Sequence, residues 1–271
     1  MSLVSTNWLE NNLNKVKIFD SSWHMPATKR DGYNEYTKGH ISNAIFFDLD
    51  QNSDQNTDLP HMLVNKDLWE KIISSMGVSN DDKIIIYDNS EVISSCRLWY
   101  NLIYYGHNPK LVHVLDGGLK KWKSENRKLT NIVSKIAKSN YKANELKSLV
   151  KNKKQINNNI LKNEFKVVDA RSRERFEGKV AEPRKGVRSG AIPKSLCLPY
   201  GKLINKDNSF KNKNEIFNIF KDVLGQEMST NVIFSCGSGV TASVLALAYS
   251  LINNKYMPAI YDGSWAEYGK I

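Results

Sequence analysis

Short apolar runs alternate with amphipathic segments along the whole chain. Runs such as Ile84-Ile85-Ile86 and Val232-Ile233-Phe234 predict buried strands, and segments with apolar residues every three or four positions predict helices between them. One such helix has Leu68, Trp69, Ile72, Ile73 and Met76 on one face, and a later one has Ile216, Phe217, Ile219, Phe220, Val223 and Leu224. A glycine follows each helix, as is typical of helix C-termini. The pattern therefore predicts an α/β fold.

The same order of elements occurs twice. The strand ending at Asp20 matches the one ending at Asp169, and Leu115-Asp116-Gly117-Gly118 matches Tyr261-Asp262-Gly263-Ser264; such matches lie 146 to 151 residues apart. An offset this steady indicates two copies of one module. We expect each copy to be a mostly parallel sheet with helices on both faces.

The boundaries of the copies follow from composition. We predict a first domain over residues 1–128 and a second over 145–271. Between them, residues 129–144 lack periodicity and are rich in Lys, Ser and Asn, which indicates a linker. A helix with Leu146, Leu149 and Val150 on one face is expected to begin the second copy.

Composition excludes several classes of protein. The 271 residues carry a net charge of +11, but the lysines lie scattered among asparagines with few aromatics nearby, which disfavours nucleic-acid binding. The three cysteines are far apart without a CxxC motif, so we expect neither a metal site nor a disulfide framework. No stretch is apolar enough to span a membrane and the first residues are polar, so the default expectation is a reduced, cytoplasmic setting.

The most informative motif is Cys236-Gly237-Ser238-Gly239-Val240-Thr241, which lies between a predicted strand and a predicted helix. The two glycines would let backbone N–H groups turn toward one point, and the helix adds the positive end of its dipole there. A cysteine held at that point is expected to be a nucleophilic thiolate at neutral pH. The alternative is a buried cysteine that only fills space at a strand end.

The first copy differs at the matching position, where Asp88 replaces the cysteine and is followed by Asn89-Ser90-Glu91. Acidic residues would repel an anion, so we do not expect a second active site there. Cys96 lies a few residues later in an apolar helix start, where core packing is its expected role.

These motifs together resemble the tandem rhodanese-like sulfurtransferases, and the loop at 236–241 is similar to that of the branch that uses 3-mercaptopyruvate. The resemblance covers nearly the whole chain and also rests on Val168-Asp169-Ala170-Arg171-Ser172, Glu182-Pro183-Arg184, Phe46-Phe47-Asp48-Leu49-Asp50, His61-Met62-Leu63 and the two Asp-Gly motifs above. It implies an enzyme that transfers sulfur from 3-mercaptopyruvate through a persulfide on Cys236, with release of pyruvate. The acceptor would be cyanide, a small thiol or a thioredoxin-like protein, with no cofactor.

The resemblance also assigns site residues. Arg175 and Arg184 match the arginines that bind substrate in the family, and planar guanidinium groups suit a carboxylate. Arg171, Arg173 and Arg188 are instead expected to be ordinary exposed arginines. Besides the cysteine, the expected site comprises Ser238, His61 and Asp50 as a catalytic relay and Gly237, Gly239, Val240 and Thr241 as loop donors. Because Asp50 and His61 come from the first copy, the site is expected between the two copies.

Three alternatives stay open at this point. A thiosulfate:cyanide sulfurtransferase has the same fold, but thiosulfate is a dianion that favours cationic side chains in the loop, where this chain has Gly237 and Ser238. A related phosphatase or arsenate reductase would need an arginine six places after the cysteine, where this chain has Ala242. A catalytically silent sulfur-carrier or partner-binding module would not need the cysteine, serine, histidine and both arginines together.

Overall fold

The computed structural model describes residues 2–226 and 228–271 and divides them into two compact units. Unit 1 takes in the residues up to Asp54, Leu63–Leu146 and Lys206–Ser209, and unit 2 takes in Gln55–Met62, Lys147–Asn205 and Phe210–Ile271. Each unit therefore includes one short segment from the other half of the chain. Within the described residues, no helix is both long and apolar enough to cross a membrane.

Unit 1 contains one five-stranded parallel sheet in the order β1-β5-β4-β2-β3. Its strands are β1 (Leu3–Val4), β2 (Lys17–Asp20), β3 (Ala44–Phe46), β4 (Ile84–Tyr87) and β5 (Val112–Leu115). Its helices are α1 (Thr6–Glu10), α2 (Gly32–Lys38), α3 (Lys66–Ser75), α4 (Ser95–Tyr104) and α5 (Gly118–Ser124), with a 3-10 turn at Pro26–Thr28.

Unit 2 has a second five-stranded parallel sheet in the order β6-β10-β9-β7-β8. Its strands are β6 (Val150–Lys151), β7 (Lys166–Asp169), β8 (Leu196–Cys197), β9 (Val232–Ser235) and β10 (Ile260–Tyr261). Its helices are α6 (Lys153–Lys162), α7 (Arg173–Phe176), α8 (Lys213–Leu224), α9 (Val240–Ile252) and α10 (Ser264–Tyr268), with 3-10 turns at Lys147–Leu149 and Tyr200–Leu203.

The two sheets have the same strand order, which confirms the predicted duplication and the α/β fold class. The register agrees as well, since Asp20 is opposite Tyr87 in one sheet and Asp169 is opposite Ser235 in the other. The next residues along the chain are Asp88 and Cys236. These two residues therefore occupy equivalent places, each at the carboxyl end of a central strand.

Both predicted helices form, but they bury only part of the apolar faces that their patterns indicate, since Leu68 and Phe217 are each 39 % exposed. Trp69 and Ile73 of α3 and Ile216 and Phe220 of α8 are buried, while α9 is buried along most of its length. Such a helix lies inside its unit rather than on the surface. Gly77 and Gly225 follow α3 and α8 with φ of 68° and 90°, in the left-handed region that favours glycine.

The chain between the two sheets differs from the prediction at one point. The helix predicted around Leu146, Leu149 and Val150 is wrong, because only a 3-10 turn forms and Val150 instead pairs with Ile260 in the sheet. The segment 129–144, predicted as a linker, has no helix or strand and belongs to unit 1. Several of its backbone N–H groups bond to other residues of that unit, as that of Ser139 does to the Ser74 carbonyl.

A buried carboxyl in unit 1 gives a pH-dependent prediction. Asp20 is 1 % exposed, and burial raises its pKa from near 4 to about 6, although bonds from the Ser22 hydroxyl and N–H oppose the rise. Between about pH 4 and pH 6 the native state therefore holds more protons than the unfolded state. This group is expected to lower the free energy of unfolding by about 2–3 kcal/mol as pH rises through that window.

The Asp20→Asn variant should lack this part of the pH dependence, as measured by urea unfolding at several pH values. Asp81→Asn, at an exposed aspartate, is the matched control and should keep the wild-type slope. An identical slope in Asp20→Asn and the wild type would contradict the prediction.

Candidate active site

The loop after β9 begins with Cys236 and ends where α9 starts at Val240. Gly239 has φ of 82°, so the turn into the helix uses a backbone conformation that glycine adopts freely. The first bond of the helix joins the Ser243 N–H to the Gly239 carbonyl. The N–H groups of residues 240–242 precede that bond and lie at the positive end of the helix dipole. This end of α9 favours negative charge.

The cysteine is held from several directions. Its Sγ lies 3.4 Å from the Ser238 backbone N, which donates to it, and the residue is only 2 % exposed. The Cys236 N–H donates to Ser264 Oγ at 3.2 Å, and its carbonyl accepts from the Trp265 N–H at 2.9 Å. The backbone of the cysteine is therefore fixed on both sides by the start of α10.

Two guanidinium groups lie beside Gly237. A Cβ added to this glycine would lie 3.3 Å from Arg184 Nη1 and 3.4 Å from Arg175 Nη2. Gly237 has no left-handed φ, so its role differs from that of Gly239: the missing side chain leaves room for both arginines. The structure thus brings together the cysteine loop and the two arginines that the sequence predicted.

The expectation that Arg171 is an ordinary exposed arginine is wrong. It is 2 % exposed, bonds to Asp169 and Glu182 at 2.7 Å each, and stacks on Trp265 with 4.5 Å to the ring centroid. Burial alone would lower the pKa of this guanidinium, but the two carboxylates outweigh it and raise the pKa. Arg173 and Arg188 are exposed as expected.

Glu182 is a residue whose contacts the sequence did not predict. Its two oxygens accept from Arg171 Nη1 at 2.7 Å and from Arg175 Nη2 at 2.5 Å, so one carboxylate connects both arginines. The side chain of Glu182 is 3 % exposed, against 22 % for Arg175. A buried carboxylate in this position fixes the direction of Arg175. One indication of this role was present in the sequence, since Glu182 stands in the motif Glu182-Pro183-Arg184 together with one of the two arginines predicted to bind substrate.

Part of the predicted relay is assembled in unit 2. His61 Nδ1 and Ser238 Oγ are 2.9 Å apart, and both residues are buried. Although His61 comes from the first half of the chain, its segment Gln55–Met62 clusters with unit 2. Asp50 belongs to unit 1, where Trp23 Nε1 lies 3.0 Å from both of its carboxylate oxygens. A relay that includes Asp50 stays a prediction, as does a site between the two copies.

The other two cysteines have different surroundings. Cys96 and Cys197 are buried, and burial raises the pKa of both thiols. A thiol with a raised pKa is protonated at neutral pH and is a poor nucleophile. The burial of Cys96 fits the packing role expected for it.

The equivalent loop of unit 1 is occupied by its own carboxylate. The Asp88 oxygens accept from the Ser90 N–H at 2.8 Å and the Ser95 N–H at 2.9 Å. These two backbone N–H groups, which could otherwise donate to a bound anion, already donate to a carboxylate of the protein itself. Within the residues that the structure describes, no cluster of three or more His, Cys, Asp or Glu side chains could hold a metal ion.

Comparisons with known proteins agree with this geometry. The model of the rhodanese-like domain matches residues 5–125 and again residues 143–270. The chain is 34 % identical to "Thiosulfate/3-mercaptopyruvate sulfurtransferase 1, mitochondrial" of Arabidopsis thaliana, over 98 % of this chain and 75 % of the relative. It is also 34 % identical to the mouse 3-mercaptopyruvate sulfurtransferase, over 98 % of this chain and 91 % of that one.

A solved structure gives the same result. The crystal structure of SseA from Escherichia coli, described as a 3-mercaptopyruvate sulfotransferase with the rhodanese fold, superposes with a TM-score of 0.85 and 30 % identity. The match covers 98 % of this chain and 99 % of SseA. Because the rhodanese-like domain matches twice and relatives named as sulfurtransferases are 34 % identical over nearly the whole chain, the chain belongs to the tandem rhodanese-like sulfurtransferases.

Proposed function

We propose that this protein is a 3-mercaptopyruvate sulfurtransferase whose nucleophile, Cys236, lies in unit 2. The observation that carries the proposal is the position of Arg175 and Arg184, whose guanidinium groups both lie against Gly237 beside the cysteine. Guanidinium groups bind carboxylates with paired hydrogen bonds, so they fit a donor that carries its sulfur and its carboxylate on one small skeleton. The names of the relatives above support the same donor.

The first half-reaction balances without a cofactor. The Cys236 thiolate attacks the sulfur of 3-mercaptopyruvate, an S–S bond forms and the C–S bond breaks, and its electron pair passes to the substrate carbon as the enolate of pyruvate. The proton of the substrate thiol ends on that carbon. Ser238, within hydrogen-bond distance of His61, is placed to move this proton, with Asp50 as the third member of the relay.

The loop then stabilises the product of that step. A persulfide on Cys236 carries negative charge, and the Ser238 N–H already donates to Sγ. The amides of Gly237 and Gly239 in the loop and of Val240 and Thr241 at the start of α9 supply further donors. Because the cysteine is 2 % exposed, little water reaches it, and the site suits a small donor.

The second half-reaction returns the enzyme to its thiolate. An acceptor thiolate, either small or on a thioredoxin-like protein, or cyanide attacks the outer sulfur and leaves with it. The loop of unit 1 that is equivalent to 236–241 holds Asp88 instead of a cysteine, so the only contribution that we assign to unit 1 is Asp50 of the relay. The three cysteines are free, which is consistent with the reduced, cytoplasmic setting that we propose.

Initial rates with 3-mercaptopyruvate and with thiosulfate, measured with one common acceptor, test the substrate assignment. We expect the rate with 3-mercaptopyruvate to be at least about tenfold higher, because the side chains at 237–241 provide no positive charge for a dianion. A chain that uses thiosulfate as fast or faster would instead be a thiosulfate:cyanide sulfurtransferase of the same fold. If the protein transferred sulfur from neither donor, the remaining hypothesis would be a catalytically silent sulfur-carrier or partner-binding module.

A further inference from the structure

Ser264 is the first residue of α10 and has a backbone conformation that is unusual for serine. Its φ is 48°, in the left-handed region, and the residue is completely buried. A residue other than glycine costs free energy in this region and persists only when the surrounding structure holds it there. Its hydroxyl donates to the Tyr261 carbonyl at 2.8 Å and accepts from the Cys236 N–H at 3.2 Å.

The duplicated fold supplies a comparison inside the same molecule. The equivalent residue of unit 1 is Gly118, with φ of 54°. The neighbouring contact is the same in both units: the Leu119 N–H donates to the Asp88 carbonyl at 2.9 Å, as the Trp265 N–H does to the Cys236 carbonyl. The conformation is therefore a property of the fold, and glycine satisfies it without strain.

Unit 2 differs in having a serine where glycine would be the better fit. Among the described residues, the bonds that the serine adds at this place run through its hydroxyl, to the cysteine N–H and to the Tyr261 carbonyl. In unit 1 the residue equivalent to Cys236 is Asp88, so there is no thiol to orient at that place. The unfavourable serine thus coincides with the cysteine.

We infer that Ser264 is a positioning residue for the sulfur transfer proposed above. By fixing the N–H of Cys236 while α10 fixes its carbonyl, the hydroxyl sets the direction of the Cα–Cβ bond and with it the position of Sγ. The sulfur is thereby aimed at the Ser238 N–H and at the donor sulfur. A displacement of a reacting group by about 1 Å can slow a reaction about a hundredfold, so this direction matters for the rate and not for carboxylate binding.

Two variants separate the hydroxyl from the backbone strain. Ser264→Ala removes the hydroxyl and keeps the strain, whereas Ser264→Gly removes both. Both variants should lose kcat with 3-mercaptopyruvate to a similar extent, roughly 10- to 100-fold, with KM within about threefold of the wild type. Amide hydrogen exchange at Cys236 should be faster in both. Only thermal stability should distinguish them, with Ser264→Gly the more stable variant.

If Ser264 is a positioning residue, loss of the hydroxyl lowers kcat, whereas relief of the backbone strain changes only thermal stability. It is overturned if Ser264→Gly turns over at the wild-type rate, if KM rises instead of kcat falling, or if activity follows the melting temperature across the two variants. A wild-type protein that transfers no sulfur would overturn the proposed function itself. Active wild type with unaltered variants would overturn only the role of Ser264.

Discussion

Replacing Cys236 by serine is expected to abolish sulfur transfer, lowering kcat with 3-mercaptopyruvate by at least about a thousandfold. A serine hydroxyl is almost the same size as the thiol, but it is neither ionised at neutral pH nor able to form a persulfide. The backbone bonds of Cys236 to Ser264 and Trp265 do not involve the sulfur, so the fold should be retained. Mass spectrometry after incubation with 3-mercaptopyruvate should detect one added sulfur atom on the wild type and none on the variant.

Cys197→Ser is the matched control, because this cysteine is also buried in unit 2 and burial raises the pKa of its thiol. It should retain both turnover and the added sulfur. If the persulfide were absent from Cys197→Ser and present in Cys236→Ser, Cys197 would be the nucleophile and the assignment of Cys236 would be wrong.

The duplicated architecture could be predicted because its signals are local. The runs Ile84-Ile85-Ile86 and Val232-Ile233-Phe234 lie in β4 and β9, and α3 and α8 form where their apolar stripes predict helices. Strand β6 could not be found in this way. It has only two residues and forms because Val150 and Lys151 pair with Ile260 and Tyr261, which are over a hundred residues away in the sequence. A helical pattern of three residues is too short to outweigh that pairing.

At the site, the residue types were predictable but the network between them was not. The loop motif identified Cys236, and the resemblance identified Arg175 and Arg184. Glu182 escaped because a carboxylate among several arginines gives no sign of which of them it will bind. Arg171 escaped because arginine is exposed in most contexts, and only the folded chain shows that Asp169 and Trp265 enclose it. The roles of Glu182 and Arg171 depend on which side chains lie close together in the folded protein, and no local sequence pattern shows that.

Arg184→Gln is expected to lower kcat/KM for 3-mercaptopyruvate by roughly a hundredfold. The substitution removes a positive charge and a planar pair of donors from the side of Gly237, where the substrate carboxylate is proposed to bind. Arg175 alone would compensate poorly, because Glu182 already accepts from it and its charge is shared with that carboxylate. Arg184→Lys should recover only part of the loss, since an ammonium keeps the charge but not the planar pair of donors.

Arg173→Gln provides the control for net charge. Arg173 is an exposed arginine of α7 whose Nη1 lies 3.7 Å from Glu177, so its loss changes the total charge by the same amount without removing either guanidinium that lies against Gly237. Steady-state kinetics should find Arg173→Gln close to the wild type. If both variants lost activity equally, general attraction of an anion by a basic protein would explain the effect. If neither did, the carboxylate would have to bind elsewhere, and the assignment of Arg184 would be wrong.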